Sequence, residues 1–170
     1  MKKYFISIFM AMVASMCVAT FTACGGSDDD DIGGESGNLT VGTHRVDVEF
    51  SGETAGWNVS LTFLGTDKNV TKASRLYENG SALTTVDGVW LATEFRPYSI
   101  TTDNDSQSLQ CTVTLRKKYA DASPVTVTLK GYVNGKQVKM RAVTTDASHK
   151  GKMIAFYSQI SEDFENDIDY

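Results

Sequence analysis

The chain is poor in the residues that usually carry chemistry or staple a fold. It has two prolines, two histidines and three cysteines in 170 residues. No stretch shows Gly-x-Ser-x-Gly, His-Glu-x-x-His or phosphate-cradling glycine spacing. His44 and His149 are far apart, and neither stands at ligand spacing from another His or Cys, which argues against zinc. A hydrolase would need a non-local pocket bringing His44 or His149 to a serine and a carboxylate; the expectation is no catalysis, no metal and no cofactor. Cys17 and Cys24 belong to the N-terminal segment, so Cys111 has no intramolecular partner and a disulfide framework is excluded. Cys111 alternates with Leu109, Val113 and Leu115 and reads as an inert core thiol.

What is present begins with Lys2 and Lys3 and an uncharged apolar run from Tyr4 to Ala23. That is the layout of a secretory signal, and the run is also just long enough for an uncleaved membrane anchor. Phe21-Thr22-Ala23-Cys24 separates the two, because Phe21 is too large for the small-x-small pattern of the ordinary signal peptidase. The same four residues resemble the lipobox of bacterial lipoproteins, departing from it at Phe21, where leucine is usual. The resemblance implies removal of residues 1–23, a thioether lipid on Cys24 and a second acylation of the freed amine. More than one acyl chain is what stable anchoring requires. The run Gly25-Gly26-Ser27-Asp28-Asp29-Asp30-Asp31 is similar to the acidic export signal of surface lipoproteins in Bacteroidetes-type bacteria, which implies a lipid-anchored, cell-surface place on the outer membrane. A solvated linker is the other reading of the four aspartates.

Residues 24–41 are Gly, Ser, Asp, Glu and Asn with few apolar side chains, the composition of a flexible acidic tether. From His44 the hydrophobic period becomes two. Val46, Val48 and Phe50 alternate with charged residues, and Trp57, Val59, Leu61 and Phe63 with polar ones. Further strands are expected over Val70 to Tyr77, Ala82 to Val86, Val89 to Phe95, Tyr98 to Thr102, Ser108 to Arg116, Val125 to Val133, Lys136 to Thr144 and Met153 to Tyr157. Asn79-Gly80, Asp87-Gly88 and Asn134-Gly135 punctuate them as turns. A two-residue turn at Asn134-Gly135 pairs Val133 with Lys136, Leu129 with Met140 and Val127 with Ala142, placing Lys130 opposite Lys139. The expected fold is all-β: a single antiparallel β-sandwich of immunoglobulin-like kind over 42–158, with a lipocalin-type barrel as the alternative. Residues 159–170 form an acidic tail, in which Ile160, Phe164 and Ile168 recur at helical spacing behind Ser161. A frayed tail fits that stretch equally well.

Charge is distributed unevenly. Residues 108–152 carry 9 basic and 2 acidic side chains, whereas 153–170 carry 5 acidic and none basic. Arg116, Lys117, Lys118, Lys130, Lys136, Lys139 and Arg141 lie on or beside strands expected to be adjacent, so several are expected to share one outer sheet face. Such a face suits an acidic glycan, a lipid headgroup or the protein's own acidic tail. An ordinary solvated face needs no ligand. The Asp103-Asn104-Asp105-Ser106 loop lacks the glycine and bidentate glutamate of a full calcium loop and reads as an Asx turn. Trp90 is opposite in parity to Val89, Leu91 and Phe95, and Tyr132 lies on the polar face of its hairpin, so both are expected at the surface. The expected function is a non-catalytic ligand-binding module using Trp90, Tyr132, Lys130, Lys139 and Arg141 for a glycan or another anionic ligand. The alternative is a structural or interaction subunit that binds a protein partner. Nucleic acid is not expected for a chain this acidic.

Overall fold

The computed structural model describes residues 39–145, 148–159 and 167–170. The chain divides into units Met1–Ser36 and Gly37–Tyr170, and only the second falls among the described residues. The signal segment, Cys24, the aspartate run and residues 160–166, with Ile160 and Phe164, lie outside them.

Among the described residues, period-two patterning becomes eleven strands: β1 His44–Gly52, β2 Trp57–Asp67, β3 Leu76–Glu78, β4 Ser81–Ala82, β5 Val89–Ala92, β6 Tyr98–Thr102, β7 Ser106–Lys117, β8 Val125–Val133, β9 Lys136–Thr144, β10 Gly151–Tyr157 and β11 Asp167–Asp169. They form a six-stranded sheet ordered β4-β3-β6-β1-β8-β9 and a five-stranded sheet ordered β11-β10-β7-β2-β5. Every pairing is antiparallel. The sheets end in separate edge strands, so the fold is a two-layer β-sandwich and the barrel alternative is set aside. Val46, Val48, Ile100, Val127 and Leu129 of the first sheet meet Trp57, Leu61, Phe63, Leu115, Ile154 and Phe156 of the second in one core. Cys111 lies within it, fully buried, and desolvation pushes its thiol well above the ordinary range.

All three Asx-Gly pairs form tight turns with both residues at positive φ: 51° and 79° at Asn79-Gly80, 51° and 79° at Asp87-Gly88, 50° and 79° at Asn134-Gly135. Three expected strands are shorter than their composition suggested. Val70 turns at φ 56°, and the Asp67 carboxylate accepts the backbone N–H groups of Thr71 (2.8 Å) and Lys72 (3.2 Å), so this segment closes a loop and strand begins at Leu76. β4 and β5 likewise stop at Ala82 and Ala92.

The β8–β9 hairpin departs from the expected register. Tyr132 faces Gln137, but Gly131 faces Lys139, so Val138 is an extra residue in a bulge. Beyond it Lys130 lies opposite Met140, Leu129 opposite Arg141 and Val127 opposite Val143. The expected repulsion between Lys130 and Lys139 therefore does not arise. Val138 and Met140 are 49% and 58% exposed, while Lys139 and Arg141 turn toward the seam between the sheets. Inward-pointing cations also protect a long edge strand from pairing with another chain.

The C-terminus answers those cations. The expected tail ends in β11 on the edge of the second sheet, with Ile168 extended opposite Met153 and not on a helix. Asp167 is 3.0 Å from Arg141 and 3.8 Å from Lys152, and Asp169 is 3.0 Å from Lys152. Four alternating charges thus close the seam between β9 and β10. Replacing Asp167 by Asn is expected to cost about 1–2 kcal/mol of stability, because Arg141 and Lys152 keep their partial burial and lose a counter-charge. Urea unfolding of single and double Asp167→Asn/Arg141→Gln variants checks this; additive losses would show that the pair is uncoupled.

His44 fastens the other end. Its ring is fully buried, with Nδ1 2.8 Å from Ser158 Oγ and Nε2 3.2 Å from the Thr40 carbonyl. A carbonyl only accepts, so Nε2 carries the proton, and Nδ1 of the neutral ring accepts from Ser158. Ser158 Oγ in turn accepts the Leu109 N–H at 3.1 Å. The Gln159 side chain grips Thr40 from the other side, accepting its N–H and donating to its carbonyl, both at 3.1 Å. Burial lowers the His44 pKa, opposed by its backbone hydrogen bonds. At neutral pH the imidazole is uncharged both folded and unfolded. As pH falls below about 6.5, the unfolded chain takes up a proton that the folded chain refuses, so stability falls by up to about 1.4 kcal/mol per pH unit until the lowered folded pKa is reached. Unfolding free energies between pH 7 and 5 should slope this way in the wild type and flatten in His44→Gln; parallel slopes would remove His44 as the cause.

Candidate functional site

The five residues expected to share a ligand site fall in three places. Tyr132 and Lys130 lie on the outer face of the first sheet, opposite Arg45 and Asp47 of β1. The Arg45 guanidinium stacks over the Tyr132 ring at 3.7 Å, with its Nε 3.2 Å from Asp47, a distance of attraction without hydrogen-bond alignment. Lys130 Nζ donates to Glu49 at 2.8 Å, and that bond raises its pKa. Lys139 and Arg141 belong to the seam, where Lys139 Nζ lies 5.4 Å from the centre of the Phe156 ring and Arg141 pairs with Asp167. Arg116, Lys117 and Lys118 sit on or just beyond β7, in the other sheet. Lys117 lies over Trp57, and Lys118 donates to the Ala55 carbonyl. The expected basic face is therefore divided between the two sheets, with acids or rings beside most of its members.

Trp90 lies apart from all of them, on edge strand β5. Its register opposite Phe63 turns it inward. It is half-buried, while Leu91 is the residue that faces out, 56% exposed. Trp90 packs 5.7 Å from the Phe63 ring and edge-on to Tyr98 at 5.9 Å, bridging the two sheets where the sandwich opens. The chain then loops through Glu94 and Arg96 into β6, placing polar groups around the rings. Arg96 stacks over Tyr98 at 4.0 Å and grips the Glu78 carboxylate with both terminal nitrogens, at 2.5 and 2.9 Å. Those bonds raise the Arg96 pKa. Tyr98 Oη donates to the Glu94 carbonyl at 2.8 Å, and burial raises its pKa. Trp90, Leu91, Ala92, Thr93, Glu94, Arg96 and Tyr98 line an open cleft of about 240 Å³. Tyr98, Arg96 and Glu94 were not singled out from the sequence; the signal available was Glu94-Phe95-Arg96-Pro97-Tyr98, charge and aromatics compressed into one short connection.

Chemically, the cleft offers ring edges and faces for apolar contact and a guanidinium–carboxylate fork for hydrogen bonding. The His44–Ser158 pair has another character: both are fully buried, and the third partner is the Thr40 carbonyl, not a carboxylate. It is a structural clasp. In the acidic loop, Asp103 accepts the Tyr77 hydroxyl at 2.8 Å and the Arg75 N–H at 3.2 Å, which holds β3 against the start of that loop. Among the described residues, no three His, Cys, Asp or Glu side chains gather closely enough to share a metal ion.

No family model matches the chain, and no curated protein matches it. Solved structures do. A DUF4425 family protein from Bacteroides ovatus is similar with a TM-score of 0.60 at 20% identity, over 72% of this chain and 100% of that one. A domain of unknown function, DUF4425, from Bacteroides vulgatus gives 0.55 at 21% identity, over 69% and 93%. The calcium-bound form of a protein from Parabacteroides distasonis gives 0.51 at 14% identity, over 77% and 98%. At these identities the likeness is one of fold: a β-sandwich of the kind found in these Bacteroides proteins.

Proposed function

We propose that this chain is a lipid-anchored surface protein whose sandwich binds a neutral glycan, without catalysis, in the Trp90–Tyr98 cleft. One observation carries the reading: a half-buried tryptophan held between Phe63 and Tyr98 at an open edge, in a cleft lined also by Glu94 and by Arg96, whose guanidinium is fixed by Glu78. A sugar has apolar C–H faces and a rim of hydroxyls, and this cleft answers both, with rings for the faces and a charged fork for the hydroxyls. Charge favours a neutral ligand over the anionic one expected from composition. Arg96 stands against two carboxylates, and the Glu94 side chain is 78% exposed at the mouth. The cations proposed for an anion are engaged: Lys130 with Glu49 and Arg141 with Asp167.

Titration of the full chain with neutral and uronic-acid oligosaccharides, followed by tryptophan emission, tests the site. Neutral sugars should give a saturable change that 0.5 M salt leaves nearly intact. Trp90→Ala and Arg96→Gln should each weaken it at least about tenfold. A preference for acidic sugars, or a response that survives Trp90→Ala, would overturn the assignment.

The anchor rests on Phe21-Thr22-Ala23-Cys24 and the four aspartates after it. Metabolic labelling with an alkynyl fatty acid should mark the wild-type chain and leave Cys24→Ser unlabelled and released from the membrane fraction. An unlabelled wild type counts against the lipid.

A further inference from the structure

We infer that Arg96 selects the ligand of the Trp90 cleft by two adjacent hydroxyls, so that the sugar bound there is one with a free vicinal diol. This rests on the glycan reading of the cleft and names its ligand class. A guanidinium carries five N–H donors in one plane. Arg96 Nη1 and Nη2 donate to the two oxygens of Glu78 at 2.5 and 2.9 Å, and Nη1 also donates to the Pro97 carbonyl at 3.1 Å. Three donors are thereby engaged. The two that remain, one on Nε and one on Nη2, point in parallel from the side edge of the same plane. Among the described residues no acceptor lies within hydrogen-bond reach of that edge, since the Glu94 carboxylate comes only to 3.8 Å from Nε.

The edge is both fixed and reachable. Glu78, whose side chain is mostly buried, belongs to β3 opposite Ile100 of β6, so the carboxylate that holds the guanidinium is itself held by the first sheet. Tyr98 lies under the guanidinium at 4.0 Å and sets its plane. The Arg96 side chain is 40% exposed, and it lines the cleft together with Glu94 and Trp90. Trp90 also packs on Tyr98, at 5.9 Å between ring centres, so one short saccharide stacked against Trp90 brings its rim to the guanidinium. Parallel donors match two acceptor oxygens side by side. A carboxylate is their usual partner, but Glu94 beside the edge repels one. A vicinal diol supplies two oxygens without charge, and its hydroxyls donate to Glu94 while they accept from Arg96. A hydroxyl whose neighbour is taken up in a glycosidic bond engages the pair incompletely and leaves a donor without its partner. Glu78 does not line the cleft; it is a positioning residue that acts through Arg96.

Glycosidic linkage reads this out. Internal units of 1,4- and 1,6-linked neutral glucans, mannans and galactans keep adjacent free hydroxyls, whereas those of linear 1,3-linked polymers do not. Titrated into the full chain and followed by tryptophan emission, the 1,4- or 1,6-linked polymer of a sugar should bind at least about tenfold more tightly per unit than its 1,3-linked counterpart. Arg96→Lys keeps the charge and loses the parallel donors, so it should bring that ratio near one, and Glu78→Gln should lower it. The ratio compares two ligands on one protein, so a general loss of stability does not move it, and the wild-type ratio decides even where a variant fails to fold. Equal affinity for the linkages, a preference for the 1,3-linked polymer, or a ratio that survives Arg96→Lys overturns the inference and leaves the glycan reading standing. A chain that binds no neutral sugar removes that reading and the inference with it.

Discussion

The ladder between β2 and β7 is the constraint from which the rest of the structure follows. Ten successive pairs run unbroken from Trp57 opposite Lys117 to Thr66 opposite Ser108 before the register shifts at Asp67. With alternation of period two, this register decides both faces of the second sheet at once. It sends Trp57, Val59, Leu61 and Phe63 inward with Leu115, Val113 and Cys111, and the threonines outward. A slip by one residue would put hydroxyls into the core and Phe63 into water. The same ladder positions Phe63 as the seat for Trp90, so the candidate cleft is a by-product of core register and not an independent construction.

Much of this was legible in the sequence, and what was not has identifiable causes. The alternation of Val46, Val48, Trp57, Leu61 and Phe63 and the Asx-Gly turns are local signals, and they led to a sandwich. Interactions between distant segments were hidden. The bulge at Val138 has no local signature; it becomes intelligible once Asp167 is seen waiting in the seam for Arg141. Val70 looked like strand by composition, but the Asp67 carboxylate captured the following backbone. The five candidate site residues scattered for two reasons: the bulge at Val138 turns Lys139 and Arg141 to the face opposite Lys130 and Tyr132, and Trp90 stands in the other sheet. Trp90 kept its standing for a different reason: its neighbours Tyr98 and Arg96 come from the next strand and the loop before it.

Charge asymmetry along the sequence turns out to be largely internal bookkeeping. The basic block of 108–152 is split between two sheets, and its inward members meet the acids of the C-terminal strand. A chain segment that supplies counter-ions to its own edge strands does two jobs. It closes the seam and keeps Lys139 and Arg141 from presenting a bare cationic edge. An excess of one sign in a stretch of sequence is thus weak evidence for an external ligand of the other sign when a complementary stretch follows in the same chain.

The clasp at His44 and the cleft at Trp90 also lie toward different ends of the sandwich. Thr40 and Gly42 enter the sandwich at the end where Ser106, Leu109, Asn134 and Ser158 lie. From there β1 runs past Val48, opposite Tyr98, to Phe50, which packs edge-on against Phe95 in the β5–β6 connection at 5.1 Å. That connection carries Glu94 and Arg96, so the polar rim of the cleft lies beyond the middle of the sandwich, away from Thr40. A clasp that fixes Thr40 between His44 and Gln159 then does more than stabilise the fold. It ties Thr40 to β1 and to the segment after β10, fixing the end of the sandwich away from the polar rim of the cleft.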